Sequence, residues 1–180
     1  MARRTMLAAL AGVLLGLGIW TQATAGGYVL FHKNFGDWSV LCWREMAGTA
    51  KTCTLSAPQP SLAYRTPPNI IQVHEYAPDA FQIAISIRDR ADPELPASLR
   101  VDRFEFRTAR VTRGLARLFG QEAVELLVQM RAGKRLAYRV QTAPDGLPRD
   151  MNVSLAGFSE ALATYRQVIR SHGLLAAPKG

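Results

Sequence analysis

One short stretch of the sequence carries residue types that acid–base catalysis uses. His74, Glu75 and Tyr76 are consecutive, and Asp79 follows three residues later. A histidine beside a carboxylate suits a general base and the group that orients it. The stretch is predicted to be a strand, however, in which consecutive side chains point to opposite faces. His74 and Glu75 are therefore not expected to act on one substrate, and His74 is interpreted as a structural histidine at or near the sheet surface.

The sequence contains none of the common catalytic motifs. It has no Gly-x-Ser-x-Gly elbow, no His-Glu-x-x-His helix and no glycine-rich phosphate loop. We therefore expect a non-catalytic protein with no catalytic residues, no cofactor and no metal site. A small periplasmic enzyme of unknown reaction is the alternative.

The two cysteines, Cys42 and Cys53, are the next candidates for chemistry. A zinc site needs about four ligands at short spacing, and none of the three histidines lies within such a step of a cysteine. A redox pair is normally Cys-x-x-Cys, which is a much shorter spacing. Each cysteine shares the strand parity of an apolar neighbour, Val40 or Leu55. We predict a structural disulfide across a hairpin whose loop lies within residues 45–50.

Arginines recur every three or four residues in the middle of the chain, at Arg100, Arg103, Arg107, Arg110, Arg113 and Arg117. Guanidinium groups donate paired hydrogen bonds to phosphate and carboxylate, so the run is a candidate anion site. Phe104 and Phe106 alternate with charged residues, which predicts a strand with Arg103 and Arg107 on its solvent face and a loop around Gly114. A charged sheet edge that discourages association is the alternative. The candidate anion-binding residues are Arg103, Arg107, Arg110 and Arg113.

The N-terminus indicates export. Two arginines precede an uncharged apolar run over residues 6–20, and Ala23 and Ala25 form a small-x-small pattern. The run is shorter than the roughly 20 apolar residues that a spanning helix needs. We predict a signal peptide over residues 1–25, a periplasmic or secreted location, and no transmembrane span after cleavage. An uncleaved N-terminal anchor is the alternative.

The net charge indicates which partners to expect. The formal charge is +8, and it is +6 without residues 1–25, which hold two arginines and no acidic residue. A basic exported protein suits contact with anionic surfaces, although the charge also serves solubility. The expected partner is an unknown protein or an anionic envelope or host component: lipopolysaccharide, phospholipid or acidic glycan. Nucleic acid is not expected, because the protein is predicted to be exported.

Most of the chain has an apolar period of two, which is typical of antiparallel strands with one solvated face. The clearest segments are 38–42, 52–57, 83–87, 136–140 and 151–155. The helical period occurs twice and predicts a short helix near 121–131 and a C-terminal helix near 157–171. Gly133 is expected to end the first helix in the left-handed conformation.

These patterns predict a mainly β fold, α+β at most. We expect a single antiparallel β-sandwich-like domain over residues 26–180, with a core at about 35–170 and about seven to eight strands. Trp38 is predicted to pack on the disulfide. Trp43 faces the other way, and two interpretations stay open: the N-terminal segment 28–32 covers it, or it is an exposed contact residue.

Two motifs resemble the invasion-associated locus B family. They are Phe35-Gly36-Asp37-Trp38 followed by Cys42, and Ser154-Leu155-x-Gly157-Phe158. The likeness extends over residues 35–169. The resemblance implies an exported bacterial protein with a compact β-sandwich-like domain, a C-terminal helix and no established enzymatic chemistry, in which these motif residues are structural.

Founding members of that family are linked to host-cell invasion. Many members carry a second cysteine pair before the first helix, whereas the corresponding segment here, residues 106–120, contains no cysteine. A second disulfide is therefore not expected, and a role in virulence is not carried over from the resemblance.

Overall fold

The computed structural model describes residues 27–46, 51–57, 71–87, 95–141 and 146–174. The predicted signal peptide, residues 1–25, lies outside the described residues and stays a prediction. The strands are β1 (Gly27–Phe35), β2 (Trp38–Glu45), β3 (Lys51–Ala57), β4 (Ile71–Ala77), β5 (Ala80–Ser86), β6 (Ala97–Val101), β7 (Arg107–Thr112), β8 (Leu115–Phe119), β9 (Arg135–Gln141) and β10 (Pro148–Ser154). The helices are α1 (Gly120–Ala132) and α2 (Phe158–Ser171).

The strands form one antiparallel sheet in the order β1-β2-β3-β4-β5-β8-β7-β6-β9-β10. Strands β1 and β10 are therefore its edges. The indole Nε1 of Trp38 in β2 donates a hydrogen bond of 2.9 Å to the carbonyl oxygen of Ser154, the last residue of β10. Since β2 lies beside one edge and β10 is the other, the sheet curls until its two ends meet. The predicted mainly β, antiparallel fold is confirmed.

Both helices cover the face of the sheet that carries the buried side chains. Helix α2 packs on β1, β2 and β3, whereas α1 packs on β5 and β8. The rings of Trp38 and Phe158 meet edge to face, with centroids 4.7 Å apart. The apolar stripe of α1 is buried at Ala123, Leu126, Leu127 and Met130, as its period predicted. The two predicted helices, near 121–131 and 157–171, are thus confirmed.

Gly133 does not take the left-handed conformation that was predicted at the end of α1. Its φ is −94° and its ψ is 176°, which is extended backbone. A Cβ at this position would lie 2.3 Å from Cγ1 of Val101 and 2.9 Å from Oδ2 of Asp102. Glycine is needed here because the backbone approaches β6 closely, and the prediction of a left-handed cap was wrong.

The described residues contain ten strands, more than the seven to eight predicted. The segment that begins at Gly27 forms the edge strand β1, and the predicted loop around Gly114 is instead the β7–β8 hairpin. Phe104 and Phe106 lie in the β6–β7 connection and are 45% and 61% exposed. The chain turns at Asp102, whose φ is 44°, so the alternation of this segment does not continue that of β6.

Trp43 is half-buried and lies opposite Val29 of β1 in the strand register. The N-terminal strand therefore covers part of its ring. Of the two open interpretations, partial cover by the N-terminal segment is the one the structure supports.

Cys42 and Cys53 lie directly opposite each other in β2 and β3 and form the predicted disulfide. Both are buried. Breaking the bond, by reduction or by a Cys42→Ala/Cys53→Ala variant, is expected to lower the free energy of unfolding by about 3 kcal/mol, because a short covalent loop no longer restricts the unfolded chain. Chemical denaturation followed by tryptophan fluorescence measures this loss. An unchanged denaturation midpoint would contradict the expectation.

Candidate anion-binding site

The side chains of His74 and Glu75 lie on opposite faces of β4. Glu75 is buried, whereas His74 is half-buried on the opposite face of β4, as the strand period predicted. Burial lowers the pKa of His74, and a hydrogen bond to the backbone of Cys53 opposes this in part. The neutral imidazole is therefore favoured, and its partners among the described residues are the side chain of Gln72 and the backbone of Cys53.

Glu75 belongs to a structural cluster that ties α2 to the β4–β5 hairpin. Its side chain is fully buried, and its Oε2 lies 3.3 Å from Nε of Arg166 in α2. The same guanidinium contacts the carboxylate of Asp79. The backbone N–H of Asp79 donates a 3.0 Å hydrogen bond to Oε1 of Glu75. We call Glu75, Asp79, Tyr165 and Arg166 the clamp cluster.

Tyr165 completes the clamp cluster. Its hydroxyl accepts a hydrogen bond of 2.9 Å from the backbone N–H of Glu75. Burial raises the pKa of Tyr165 to about 12, so the phenol is neutral at ordinary pH. The roles of Arg166 and Tyr165 in this cluster could not be predicted from the sequence, because nothing local to α2 indicates which strand the helix will meet.

The arginine run forms a more open site. A cavity of about 1230 Å³ lies over the outer face of β5, β7 and β8, and Arg110, Arg113 and Arg117 all line it. We call it the arginine cleft. The hydroxyl side chains of Thr108 and Thr112 line it too, since they share the face of β7 that carries Arg110.

Arg110 and Arg117 lie directly opposite each other in the β7–β8 pair. Like charges in this position destabilise a sheet. Within the described ranges, no acidic side chain forms an ion pair with either of them or with Arg113. Glu122 is the acidic residue among the described residues that line the cleft, which leaves the lining with a net positive charge.

Arg113 occupies an unfavourable backbone conformation. It forms the two-residue β7–β8 turn with Gly114, and both residues have positive φ, 51° and 72°. A turn of this kind favours Asn, Asp or Gly in its first position. Holding another L-residue there costs about 1–2 kcal/mol. Such strain concentrates at functional sites.

The four predicted anion-binding residues separate into two groups. Arg110 and Arg113 line the cleft, together with Arg117 from the same run. Arg103 lies in the exposed β6–β7 connection, outside the cleft. Arg107 points to the helix side of the sheet, where its Nη1 lies 2.8 Å from Oε2 of Glu125. Arg107 was expected on the solvent face, and the turn before β7 reverses that parity.

One signal in the sequence marks the cleft. The segment Arg-Val-Thr-Arg-Gly-Leu-Ala-Arg is symmetric about Arg113-Gly114. A two-residue hairpin turn at its centre therefore pairs Arg110 with Arg117. The signal was missed because the inward positions of this hairpin include the small residues Ala109 and Ala116, which weaken the apolar alternation.

Arg100, the first residue of the run, lies on a different part of the surface. Its guanidinium stacks on the ring of Phe106, 4.5 Å from the centroid. It lines a smaller cavity of about 440 Å³ with Lys134 and Arg135. This second basic surface belongs to β6 and β9 and is separate from the arginine cleft.

In the part of the chain that the structure describes, no group of three or more His, Cys, Asp or Glu side chains is placed to hold a metal ion. Among those same residues, no helix combines the length and the hydrophobicity needed to span a bilayer.

The two family-like motifs meet in space at one crossing, which we call the motif junction. The backbone N–H of Asp37 donates to the carbonyl oxygen of Ala156 at 3.2 Å. Gly36 and Gly157 have φ values of 56° and 83° and lie back to back. The large apolar residues of the motifs, Phe35, Trp38, Leu155 and Phe158, are all buried. The motif junction joins the first hairpin to the start of α2.

Comparison with known proteins identifies the fold. No protein-family model matches the sequence, and no curated protein is significantly similar to it. Among solved structures, the chain is similar to invasion associated protein B from Bartonella henselae, with a TM-score of 0.62 and 19% sequence identity. The match covers 78% of this chain and 99% of that chain. At this identity the likeness concerns the fold alone. The chain has the fold of invasion associated protein B, as its two motifs predicted.

Proposed function

We propose that this protein is an exported, non-catalytic binding domain that holds an anionic component of the cell envelope or of a host in the arginine cleft. One observation supports the site: Arg110, Arg113 and Arg117 converge there in an arrangement that reduces stability. The disulfide supports the location, since such bonds persist in oxidising compartments. The predicted signal peptide supports it as well.

The chemistry of the cleft suits an acceptor-only ligand. Guanidinium groups donate several hydrogen bonds in a fixed plane and match phosphate, sulfate or carboxylate oxygens. The hydroxyls of Thr108 and Thr112 add two further donors on the same face of β7. A bound anion also offsets the repulsion between Arg110 and Arg117.

A charged sheet edge was the other interpretation of the arginine run. That explanation applies to edge strands, whose unpaired backbone groups invite association. Strands β7 and β8 are interior to the sheet, between β6 and β5, so they have no edge to protect. We do not propose the enzymatic alternative, because His74 and Glu75 face opposite sides of β4.

An Arg113→Asn variant tests the proposal through two opposite effects. Asparagine suits the left-handed first position of the turn, so the free energy of unfolding should rise by about 1 kcal/mol. Loss of one charged donor should weaken anion binding about 10-fold or more. Chemical denaturation measures the first effect. Calorimetric titration with lipopolysaccharide, anionic vesicles and a sulfated glycan measures the second, at low and moderate salt.

Two further variants test whether binding depends on the cleft or only on the total positive charge. Arg117→Glu creates an opposite-charge pair with Arg110, so it should leave stability equal or raise it by up to about 1 kcal/mol while abolishing binding. Arg103→Asn removes the same charge from an exposed turn outside the cleft and serves as the matched control. Equal weakening by Arg103→Asn and Arg113→Asn would mean non-specific charge attraction, and would overturn the proposed site.

A further inference from the structure

We infer that the ligand of the arginine cleft is a phosphate-bearing lipid, whose head group contacts the arginines while its hydrocarbon contacts apolar side chains of the same cavity. This inference rests on the proposed function and deepens it. It follows from the apolar part of the cleft and from the balance of hydrogen-bond donors and acceptors in it.

The apolar part of the cleft flanks its charges. Phe119 and Leu95 line the cavity and are 51% and 36% exposed. Phe119 lies two residues beyond Arg117 on the same face of β8, which places the two side chains about 7 Å apart along the strand. A large exposed aromatic beside a cation that no described acidic side chain pairs with is the arrangement expected for a ligand with both anionic and apolar parts.

Leu95 lies on the other side of the arginines. Ala97 of β6 pairs with Ala109 of β7, so the chain just before β6 runs beside the end of β7 that carries Arg110 and Thr112. Leu95 and Phe119 therefore lie on different sides of the arginines: Leu95 lies beside β7 on the β6 side, and Phe119 lies further along β8 from Arg117. The cavity, at about 1230 Å³, exceeds the roughly 300–1,000 Å³ of typical small-ligand pockets, so it has room for more than a head group.

The hydrogen-bonding groups favour a phosphate over a sugar. A glycan presents hydroxyls that both donate and accept, so a glycan site needs acceptors as well as donors. In the described lining the three arginines donate only, the two threonines and Gln82 both donate and accept, and Glu122 only accepts, so donors predominate. A phosphate accepts only, and thus matches this lining.

Soluble short-chain probes distinguish the contribution of the head group to the affinity from that of the hydrocarbon. The probes are dihexanoyl phosphatidic acid below its critical micelle concentration, glycerol 3-phosphate, dihexanoyl phosphatidylcholine and a sulfated heparin disaccharide. We expect phosphatidic acid to bind about 10-fold more tightly than glycerol 3-phosphate, because even partial burial of the chains against Leu95 and Phe119 removes apolar surface from water. Phosphatidylcholine and the disaccharide should bind more weakly than phosphatidic acid.

Variants of the apolar lining test which side chains contact the hydrocarbon. Phe119→Ser and Leu95→Ser change exposed side chains, so the fold should persist; each should reduce the advantage of phosphatidic acid and leave affinity for glycerol 3-phosphate unchanged. Phe104→Ser, at an exposed aromatic outside the cleft, is the matched control and should change neither affinity. Equal affinity for phosphatidic acid and glycerol 3-phosphate, or tightest binding of the disaccharide, would overturn the lipid inference and leave anion binding standing. Failure of every anion to bind would overturn both.

Discussion

Replacing Gly157 by alanine is expected to lower the free energy of unfolding by about 2–5 kcal/mol. A Cβ at this position would lie 2.1 Å from the carbonyl oxygen of Phe35, and it would sit on a residue whose φ is +83°. The left-handed conformation costs about 1–2 kcal/mol, and a clash with backbone in a packed region costs about 1–3 kcal/mol more. The crossing chains would have to separate, which also weakens the hydrogen bond from Trp38 to Ser154.

Gly173→Ala is the matched control for this variant. Gly173 follows α2 with a φ of +61°, but a Cβ there would meet nothing within 4 Å. It should show only the conformational cost, about 1–2 kcal/mol. Denaturant titration of both variants isolates the steric effect as their difference. If the two variants lost equal stability, the motif junction would not be the tight backbone contact described above.

The Arg166→Leu variant is expected to lose about 3–5 kcal/mol of stability. It would leave the carboxylate of Glu75, whose side chain is fully buried, without its cation. Removing one partner of a buried ion pair leaves an uncompensated charge in a medium that solvates it poorly. The guanidinium also lies over the ring of Phe81, 5.5 Å from its centroid, and a leucine retains part of that apolar contact. Thermal and chemical denaturation measure the loss.

A second substitution separates the charge effect from lost packing. The Glu75→Gln/Arg166→Leu double variant keeps an amide oxygen to accept the N–H of Asp79 but removes the buried charge, so it should regain much of the lost stability. Arg170→Leu changes an exposed arginine on the same helix and should lose less than about 1 kcal/mol. A double variant no more stable than Arg166→Leu would show that packing, and not charge, ties α2 to the hairpin.

The clamp cluster and the motif junction hold the same helix at two places. The motif junction positions the start of α2 against the first hairpin, whereas Tyr165 and Arg166 hold its middle against the β4–β5 hairpin. The arginine cleft lies on the opposite face of the sheet, on β7 and β8. Substitutions in the clamp cluster or the motif junction should therefore lower stability, while substitutions of the cleft arginines should weaken binding and leave stability equal or raise it by about 1 kcal/mol. The two kinds of substitution are therefore distinguished by the sign of their effect on stability.

Sequence alone predicted the elements whose patterns are local. The alternation at Val40 and Cys42, at Ile83 and Ile85, and at Leu136 and Tyr138 marks strands, because the inward and outward faces of a strand repeat every two residues. The stripe of α2 is equally local. The disulfide followed from there being two cysteines, each on the core parity of its strand.

Sequence alone failed where the chain changes direction within a few residues. The turn after Val101 changes which face of the sheet the following side chains point to. Phe104 and Phe106 were therefore wrongly predicted to face the core, and Arg107 to face solvent. Gly133 looked like a left-handed helix cap, yet it is required by the approach of Val101. At Gly133 the deciding contact is with Val101, and the turn at Asp102 accepts hydrogen bonds from the backbone N–H groups of Lys134 and Arg135. Neither contact lies within the local pattern.

The sequence by itself determined which structural elements make up this fold. They are antiparallel strands with one apolar face, two helices, a disulfide and the two motifs that resemble the locus B family. Only the tertiary structure decided the strand order, the curl that brings Gly36 to Gly157, the burial of Glu75 against Arg166, and the meeting of three arginines over β7 and β8. The physical reason is the separation along the chain between the residues that interact. Periodicity and parity arise between neighbours in the chain, whereas ion pairs, close backbone crossings and binding cavities arise between segments that only packing brings together.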